Sequence, residues 1–237
     1  MRKIIAATVL ALSLATMASA QQFTLMPTRE GQEPGSNYES LTSKTYKVEG
    51  KPDIESFFIA LAPGIDKGFE DKKQLIQDMK EGNYFTIDKK SGYIEYGCEG
   101  DGGIRIRSCY WNTTNKQKMV AVYYDSHEFF PIKDSNPEQS EILTTSYLAF
   151  FLYNEETKTL ESIEPPFKET LEMPKVEEKT EEAKPDENSD YIQNPIHFLC
   201  KLPQKGKDIQ YRFGREEDEN QVWHTLTFNG LLFEETK

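Results

Sequence analysis

Residues 84–125 read YFTIDKKSGYIEYGCEGDGGIRIRSCYWNTTNKQKMVAVYYD. Four runs rich in β-branched and aromatic side chains alternate here with turn residues, and they cover positions 84–87, 93–98, 104–111 and 119–124. Such runs at hairpin spacing are typical of strands that follow one another in an antiparallel sheet. The stretch therefore predicts a β-meander.

Two short helices are predicted on the N-terminal side of the meander. Residues 54–62 carry an apolar face and are followed by Pro63 and Gly64, which favour a helix end. Residues 70–81 carry a second apolar face, and Gly82 is placed as a C-terminal cap. Both faces need a surface to cover them, so we expect the helices to pack on one face of the sheet.

Four segments follow the meander. Residues 126–141 are polar and rich in turn formers, which predicts a loop, whereas residues 146–163 predict a hairpin. Residues 172–190 are acidic and have too few apolar side chains to offset the entropy of ordering, so they predict a disordered linker. Residues 191–237 contain four short strand-like runs, which we expect to complete the main sheet or to pack against it.

The predicted fold class is α+β, mainly antiparallel β: a β-meander with two short N-terminal helices and a C-terminal group of short strands. The predicted organisation is a signal peptide at 1–20, an irregular lead-in at 21–50, a main α+β domain at 51–171, an acidic disordered linker at 172–190 and a C-terminal β-strand segment at 191–237.

The first twenty residues have the pattern of a secretory signal peptide. Arg2 and Lys3 precede an apolar run, and Ala18-Ser19-Ala20 supplies small residues at a cleavage site. The apolar run is shorter than the roughly 20 residues of a membrane-spanning helix. We therefore expect an exported, periplasmic or secreted protein with no integral membrane span after cleavage, and the alternative is an uncleaved anchor.

The charge balance argues against two classes of partner. The chain has 28 basic and 40 acidic residues and a formal net charge of −12. Binding to nucleic acid or to anionic lipid requires Lys and Arg to neutralise phosphate charge. We therefore expect neither nucleic acid nor a membrane surface as partner, and the acidic charge also serves solubility.

Three cysteines, Cys98, Cys109 and Cys200, would lie in an oxidising compartment. Cys98 and Cys109 flank a glycine-rich turn. A pairing that opposes these two positions would allow a disulfide, whereas a tighter turn would oppose position 98 to Arg105 and separate the thiols. The sequence leaves both registers open, with a Cys98 and Cys109 disulfide as one outcome and buried free thiols as the other.

Arg105, Arg107, Trp111 and Tyr96 form the candidate binding face. Arg105, Arg107 and Trp111 alternate along one predicted strand, so they share one face of the sheet. Arginine and aromatic side chains could hold an anion or a sugar ring. The alternative is that both arginines are solvated on the outer face of the sheet and pair with Glu95 or Glu99.

The motifs of known catalytic sites are missing from the sequence. It has no Gly-x-Ser-x-Gly elbow, no His-Glu-x-x-His, no Cys-x-x-Cys and no phosphate-binding glycine loop. Asp125-Ser126-His127-Glu128 lacks the spacing of metal ligands and is interpreted as an exposed loop. We therefore assign no catalytic residue, no metal site and no cofactor.

Three strand patterns, at 91–96, at 109–122 and at 148–163, resemble a group of exported proteins of Bacteroidetes bacteria that has no established activity. The resemblance covers about residues 57–167 and implies a periplasmic location. It implies no site residues.

The function that these observations favour is a non-catalytic exported binding or accessory protein of the cell envelope, with an envelope protein or a glycan as partner. One alternative is a periplasmic hydrolase whose Asp or Glu residues cannot be identified from the sequence, and another is a structural envelope component.

Overall fold

The computed structural model describes residues 36–98, 103–131, 140–169, 171, 191–193, 197–214 and 222–236. The predicted signal peptide, the first part of the predicted lead-in and the predicted linker lie outside these ranges. Within them, no helix combines the length and the apolar character that crossing a bilayer requires.

The described elements form three helices and twelve strands. The helices are α1 Ser36–Thr42, α2 Ile54–Ile65 and α3 Lys72–Glu81, with a 3-10 turn at Lys67–Phe69. The strands are β1 Tyr46–Lys47, β2 Phe85–Asp88, β3 Tyr93–Cys98, β4 Ile104–Asn112, β5 Lys118–Pro131, β6 Ser140–Asn154, β7 Thr159–Ile163, β8 Tyr191–Gln193, β9 His197–Lys201, β10 Ile209–Gly214, β11 His224–Phe228 and β12 Phe233–Thr236.

Two sheets contain these strands. The main sheet has eight strands in the order β1-β7-β6-β5-β4-β3-β2, with β8 pairing with β6, and the second sheet has four strands in the order β12-β11-β10-β9. All strand pairs except β6 with β8 are antiparallel. The predicted class, mainly antiparallel α+β, is confirmed, and β2 to β5 form the predicted meander.

The main sheet is covered on both faces. The helices pack on one face, called here the helix face, around Phe57, Phe58 and Leu61 of α2, which are fully buried. The second sheet packs on the opposite face, called here the inner face. Because each face is buried against another layer, the side chains of the central strands alternate between two separate cores.

Helix α2 continues past the predicted stop. Asp53 caps its N-terminus by accepting a hydrogen bond from the Ser56 N–H at 3.0 Å, and the helix then includes Pro63 and Gly64 and ends at Ile65. Proline removes one donor there, but the N–H of Asp66 still donates to the Ala62 carbonyl at 3.0 Å. Helix α3 ends as predicted at Gly82, whose φ of 72° suits glycine in a C-terminal cap.

The described part of the predicted lead-in, from residue 36 onward, contains α1 and β1. Leu41 of α1 is fully buried on the helix face, and the Tyr46 hydroxyl donates to its carbonyl at 2.7 Å. β1 then pairs with β7 at one edge of the main sheet. Burial of Leu41 and Tyr46 therefore orders a segment whose local sequence predicts only turns and one short strand.

The segment between the meander and the hairpin differs from its prediction. The strand that ends the meander continues to Pro131 and pairs with the strand that begins at Ser140, so residues 126–131 and 140–141 of the predicted loop are strand, and residues 132–139 lie outside the described ranges. The C-terminal strands divide between the two expected arrangements. β8 extends the main sheet, while β9 to β12 form the second sheet that covers the inner face.

Candidate functional site: a cationic pocket between the two sheets

The inner face of the main sheet changes from apolar to charged along β4 and β5. In the cross-strand pairs, Trp111 opposes Met119, Arg107 opposes Tyr123 and Arg105 opposes Asp125. Side chains at i, i+2 and i+4 of a strand share one face, so these pairs form successive rows beneath the second sheet. The Trp111 row is therefore the apolar end of the interface, and the Arg105 row is its charged end.

The apolar end is closed. Trp111 is 5% exposed, its ring packs edge-on against Phe233 at 5.1 Å between centroids, and its indole N–H donates to the Lys207 carbonyl at 3.1 Å. Trp111 therefore anchors the second sheet. It is not available as a binding surface, although it shares the face of the two arginines as the alternation predicts.

The charged end opens into a pocket of about 350 Å³. β4 and β5 contribute one wall, β9 and β10 contribute another, and a residue just before β11 completes the lining. The lining residues are Arg105, Arg107, Tyr123, Asp125, Leu199, Cys200, Lys201, Arg212 and Trp223. We call this the cationic pocket, because four of these side chains are basic and one is acidic.

Arg107 is fixed in its position by both sheets. Its Nε donates to Glu95 Oε1 at 3.0 Å, and its Nη1 donates to the Cys200 carbonyl at 3.1 Å. The Tyr93 hydroxyl donates to the other carboxylate oxygen of Glu95 at 2.8 Å. The guanidinium is therefore oriented before any ligand arrives, and part of its charge is compensated by Glu95.

Tyr123 lies beside Arg107 and is fully enclosed. Its hydroxyl donates to the Phe198 carbonyl at 3.1 Å. Burial raises the pKa of Tyr123 well above its ordinary value, and the charge of Asp125 adds to this effect. β9 lies at an edge of the second sheet, so its carbonyls at 198 and 200 point away from β10. Tyr123 and Arg107 of the main sheet donate hydrogen bonds to these two carbonyls.

The wall supplied by the second sheet combines cations with an indole ring. Nζ of Lys201 lies 3.9 Å from the centre of the Trp223 ring, and the guanidinium carbon of Arg212 lies 4.9 Å from it. Arg212 is only 5% exposed, in a strand that is otherwise mostly apolar. Cation–π attraction holds both cations next to each other at the pocket wall.

Asp125 is the carboxylate of the cationic pocket. It is 3% exposed, and it pairs across the strands with Arg105 on one side and with Ser146 on the other. Buried carboxylates are stabilised by nearby cations and donors. The pocket therefore presents a predominantly positive surface that contains one strong hydrogen-bond acceptor.

Two thiols lie at the base of this region. Cys109 and Cys200 are both buried between the sheets and both are free. Burial raises the pKa of each thiol above its ordinary range. Because the thiolate is the reactive form, neither sulfur has the character of a catalytic nucleophile.

The structure separates the residues of the predicted binding face. Arg105 and Arg107 line the cationic pocket, so they are not solvated charges on an outer surface, although the expected pairing of Arg107 with Glu95 is present. Tyr96 opposes Ile106 and packs on the helix face against Phe69 and Phe85, at 5.1 and 5.0 Å between ring centroids.

The predicted disulfide between Cys98 and Cys109 is wrong. Cys98 pairs with Ile104 at one end of the β3 and β4 ladder, whereas Cys109 pairs with Tyr93 at the other end. Cys109 is a free thiol. The observed register is one residue tighter than the predicted alternative that opposes position 98 to Arg105, so neither predicted register is correct. It moves the two positions apart, and it also places Tyr96 opposite Ile106, away from Trp111.

Sequence reasoning missed most of the pocket. The sequence of residues 125–128 predicts an exposed loop, but Asp125 continues β5 and is buried. Arg212 and Trp223 had no predicted role. One signal was available, because an arginine within Ile209-Gln210-Tyr211-Arg212-Phe213 interrupts an apolar strand, and a buried arginine requires a specific environment.

Within the described ranges, no three or more His, Cys, Asp or Glu side chains lie close enough together to hold a metal ion. Comparison of the chain with protein-family models, with curated proteins and with solved structures gave no match.

Proposed function

We propose that this chain is an exported, non-catalytic binding protein of the cell envelope, and that it holds a small anion, or the anionic end of a larger envelope ligand, in the cationic pocket. The observation that carries this proposal is the lining of the pocket. Arg105, Arg107, Lys201 and Arg212 converge on one cavity in a chain whose acidic residues outnumber its basic ones.

Electrostatics supports an anionic ligand. An arginine taken out of water loses hydration, and Arg212 is almost fully buried. Four cations around one cavity repel one another, and Asp125 in the lining and Glu95, which pairs with Arg107, compensate part of their charge. A bound carboxylate, sulfate or phosphate lowers this repulsion and accepts hydrogen bonds from the basic side chains. Such a ligand therefore stabilises the cluster of cations.

Two residues of the lining are poor nucleophiles and poor bases. Burial raises the pKa of both Tyr123 and Cys200. Both therefore remain protonated at neutral pH and can donate or pack, but they cannot attack a substrate.

Calorimetric titration of the mature chain with sulfate, phosphate, acetate and D-galacturonate tests the proposal. Lys201→Glu reverses one pocket charge at an exposed position of β9, so we expect it to weaken binding of the best anion by tenfold or more, an order-of-magnitude estimate for a charge-assisted contact. Lys80→Glu makes the same change on exposed α3 at the helix face and should leave the affinity within about twofold.

Two results would contradict the proposal. One is the absence of binding heat with every anion in the panel, and the other is an equal loss of affinity in both variants. Affinity capture of the tagged chain from its own cell envelope then tests the envelope assignment, because the assignment requires bound material that carries anionic groups and that Lys201→Glu fails to retain.

A further inference from the structure

We infer that Cys109 of β4 and Cys200 of β9 form a disulfide that joins the two sheets in the oxidised protein, so the free thiols of the structure are its reduced state. The inference concerns a covalent modification of the core between the sheets. It does not rest on the proposed function, because the thiols are mapped without any ligand. Titration and alkylation of the two sulfurs are properties of the reduced state, which a thiol reductant maintains.

Hydrogen bonds hold the backbone of Cys200 close to the strand that carries Cys109. Arg107 lies two positions before Cys109 on the same face of β4, and its Nη1 donates to the Cys200 carbonyl at 3.1 Å. On the neighbouring strand, the Tyr123 hydroxyl donates to the Phe198 carbonyl at 3.1 Å. β9 is therefore held over the cross-strand row of Arg107 and Tyr123, which is adjacent to the row of Cys109.

Both sulfurs belong to the same buried core. Cys109 is 2% exposed and Cys200 is 1% exposed, and both lie in the apolar cluster between the sheets. Burial raises the pKa of Cys109, and the charge of a Cys200 thiolate raises it further. The two sulfurs therefore lie within range of each other's charge.

The position of β9 in its sheet permits the approach that a bond requires. A disulfide holds its two Cα atoms roughly 4.4 to 6.8 Å apart. β9 is an edge strand that pairs with β10 on one side only, so it can move toward β4 without breaking a second strand ladder. The hydrogen bonds from Arg107 and Tyr123 are made by long side chains that can follow such a movement.

Cys200 is also the partner that the topology leaves for Cys109. Cys98 pairs with Ile104 at one end of the β3 and β4 ladder, whereas Cys109 pairs with Tyr93 at the other end. A disulfide between Cys109 and Cys200 therefore leaves Cys98 as the odd thiol of the chain.

The bond forms by exchange with a disulfide oxidant, either a small disulfide such as oxidised glutathione or the disulfide of an oxidoreductase. An oxidising compartment, which the signal-peptide pattern predicts, supplies such oxidants. One thiolate attacks the oxidant and releases one thiol, and the second cysteine attacks the mixed disulfide and releases the other. Cys109 and Cys200 together lose two electrons and two protons, which the oxidant takes up as two thiols.

The exchange takes place while the sheets are apart. Burial raises the pKa of both thiols in the folded chain, and the thiolate is the reactive form. We therefore expect the bond to form during folding or during transient separation of the sheets, and we expect oxidation of the folded, reduced chain to be slow.

Disulfide mapping of the unaltered mature chain is the first test. The reduced chain is refolded with reduced and oxidised glutathione, remaining thiols are blocked with N-ethylmaleimide, and the chain is digested with trypsin without reductant. Trypsin places the three cysteines in separate peptides, 91–105, 108–116 and 180–201. We expect peptide 108–116 to be linked to peptide 180–201 and peptide 91–105 to be alkylated. A different linkage, or alkylation of all three peptides, overturns the inference.

Urea unfolding is the second test, because a bond that fits the native sheets stabilises them. It closes a loop of about 90 residues, which restricts the unfolded chain. We expect the urea midpoint of the oxidised chain to exceed that of the reduced chain by about 1 M or more. Equal midpoints would overturn the inference.

Two single variants assign this stabilisation to one pair of cysteines. Cys98→Ser retains both partners of the bond, so the difference in midpoint between its oxidised and reduced forms should persist. Cys109→Ser removes one partner and should abolish the difference. The opposite pattern would show that the bond involves Cys98 and would overturn the inference, and mapping of the unaltered chain decides the matter if Cys109→Ser does not fold.

Discussion

Arg107 shows how a charged side chain is accommodated between two sheets. Its Nε and Nη1 atoms are bound by groups from different sheets, Glu95 in β3 and the Cys200 carbonyl in β9. Lysine could not replace it in this role, because an ammonium group does not present two donors in a fixed planar arrangement. The two thiols nearby affect the pH dependence of stability instead. Because both are buried, the free energy of unfolding changes with pH in the alkaline range.

We expect the free energy of unfolding to fall above pH 9. Burial raises the pKa of Cys109 and Cys200 above their ordinary value of 9.0, so the folded chain keeps protons that the unfolded chain releases. The stabilisation is complete below pH 9 and decreases as the pH rises, by up to about 1.4 kcal/mol per pH unit for each thiol. Urea unfolding at about pH 8, 9 and 10 measures this dependence.

A double variant, Cys109→Ala with Cys200→Ala, is the control for the pH dependence. It lacks both thiols, so its stability should fall less than that of the unaltered chain between about pH 8 and 10. The fall that remains comes from buried tyrosines such as Tyr123 and Tyr147, whose pKa burial also raises. An equal fall in the double variant would show that the thiols are not the cause.

At the scale of elements, α2 shows that a helix can extend through residues that usually end one. Gly64 lies in its last turn directly under the ring of Tyr46, and a Cβ atom at position 64 would stand 2.1 Å from the Tyr46 hydroxyl oxygen. The glycine therefore allows the N-terminal segment to close onto the helix. The hydroxyl in turn binds the Leu41 carbonyl, which joins α1, β1 and α2.

Gly64→Ala should destabilise the chain by about 1 to 3 kcal/mol, because the added methyl group must displace the Tyr46 ring. Gly97→Ala is the matched control, since nothing lies within 4 Å of a Cβ atom at that position. It should change stability by about 0.5 kcal/mol or less. Urea unfolding compares the two, and equal losses of stability would refute the close-contact explanation.

At the scale of the whole molecule, the second sheet makes two contributions. It buries the apolar end of the inner face around Trp111 and Phe233, and at the other end it supplies Lys201 and Arg212 to the cationic pocket. The pocket exists only while the two sheets are in contact, so the stability of the inter-sheet core also determines the integrity of the candidate site.

Trp111→Ala should speed alkylation of Cys109 and Cys200 in the folded chain. The substitution removes the main aromatic anchor between the sheets and should cost about 3 to 5 kcal/mol. Peptide mapping after timed alkylation measures the labelling of each thiol. Leu75→Ala, which removes a buried side chain from α3 on the helix face, should accelerate labelling less. Equal acceleration would mean that the thiols are exposed only by global unfolding.

Several features could be predicted from the sequence because they depend on neighbours along the chain. Residue alternation places Arg105, Arg107 and Trp111 on one face of β4, the turn residues between the runs predict the meander, and Gly82 predicts the end of α3. The register between β3 and β4 could not be predicted, because glycine-rich turns of different lengths fit the same pattern. That uncertainty left a disulfide between Cys98 and Cys109 open, and the observed register excludes it.

The sequence by itself determined the strands of the meander, the Gly82 cap of α3 and the face that Arg105, Arg107 and Trp111 share, since periodicity and turn chemistry are local. Only the tertiary structure decided what covers the inner face. It brings Arg107 to Cys200, 93 positions away in the chain, and Trp111 to Lys207, 96 positions away. The alternation of side chains along a strand shows that one face of the sheet must be covered, but it does not show which segment of the chain covers it. The two arginines that the sequence places on one face therefore line a pocket only because the second sheet packs against that face. Other residues of the pocket come from strands that are distant in the chain.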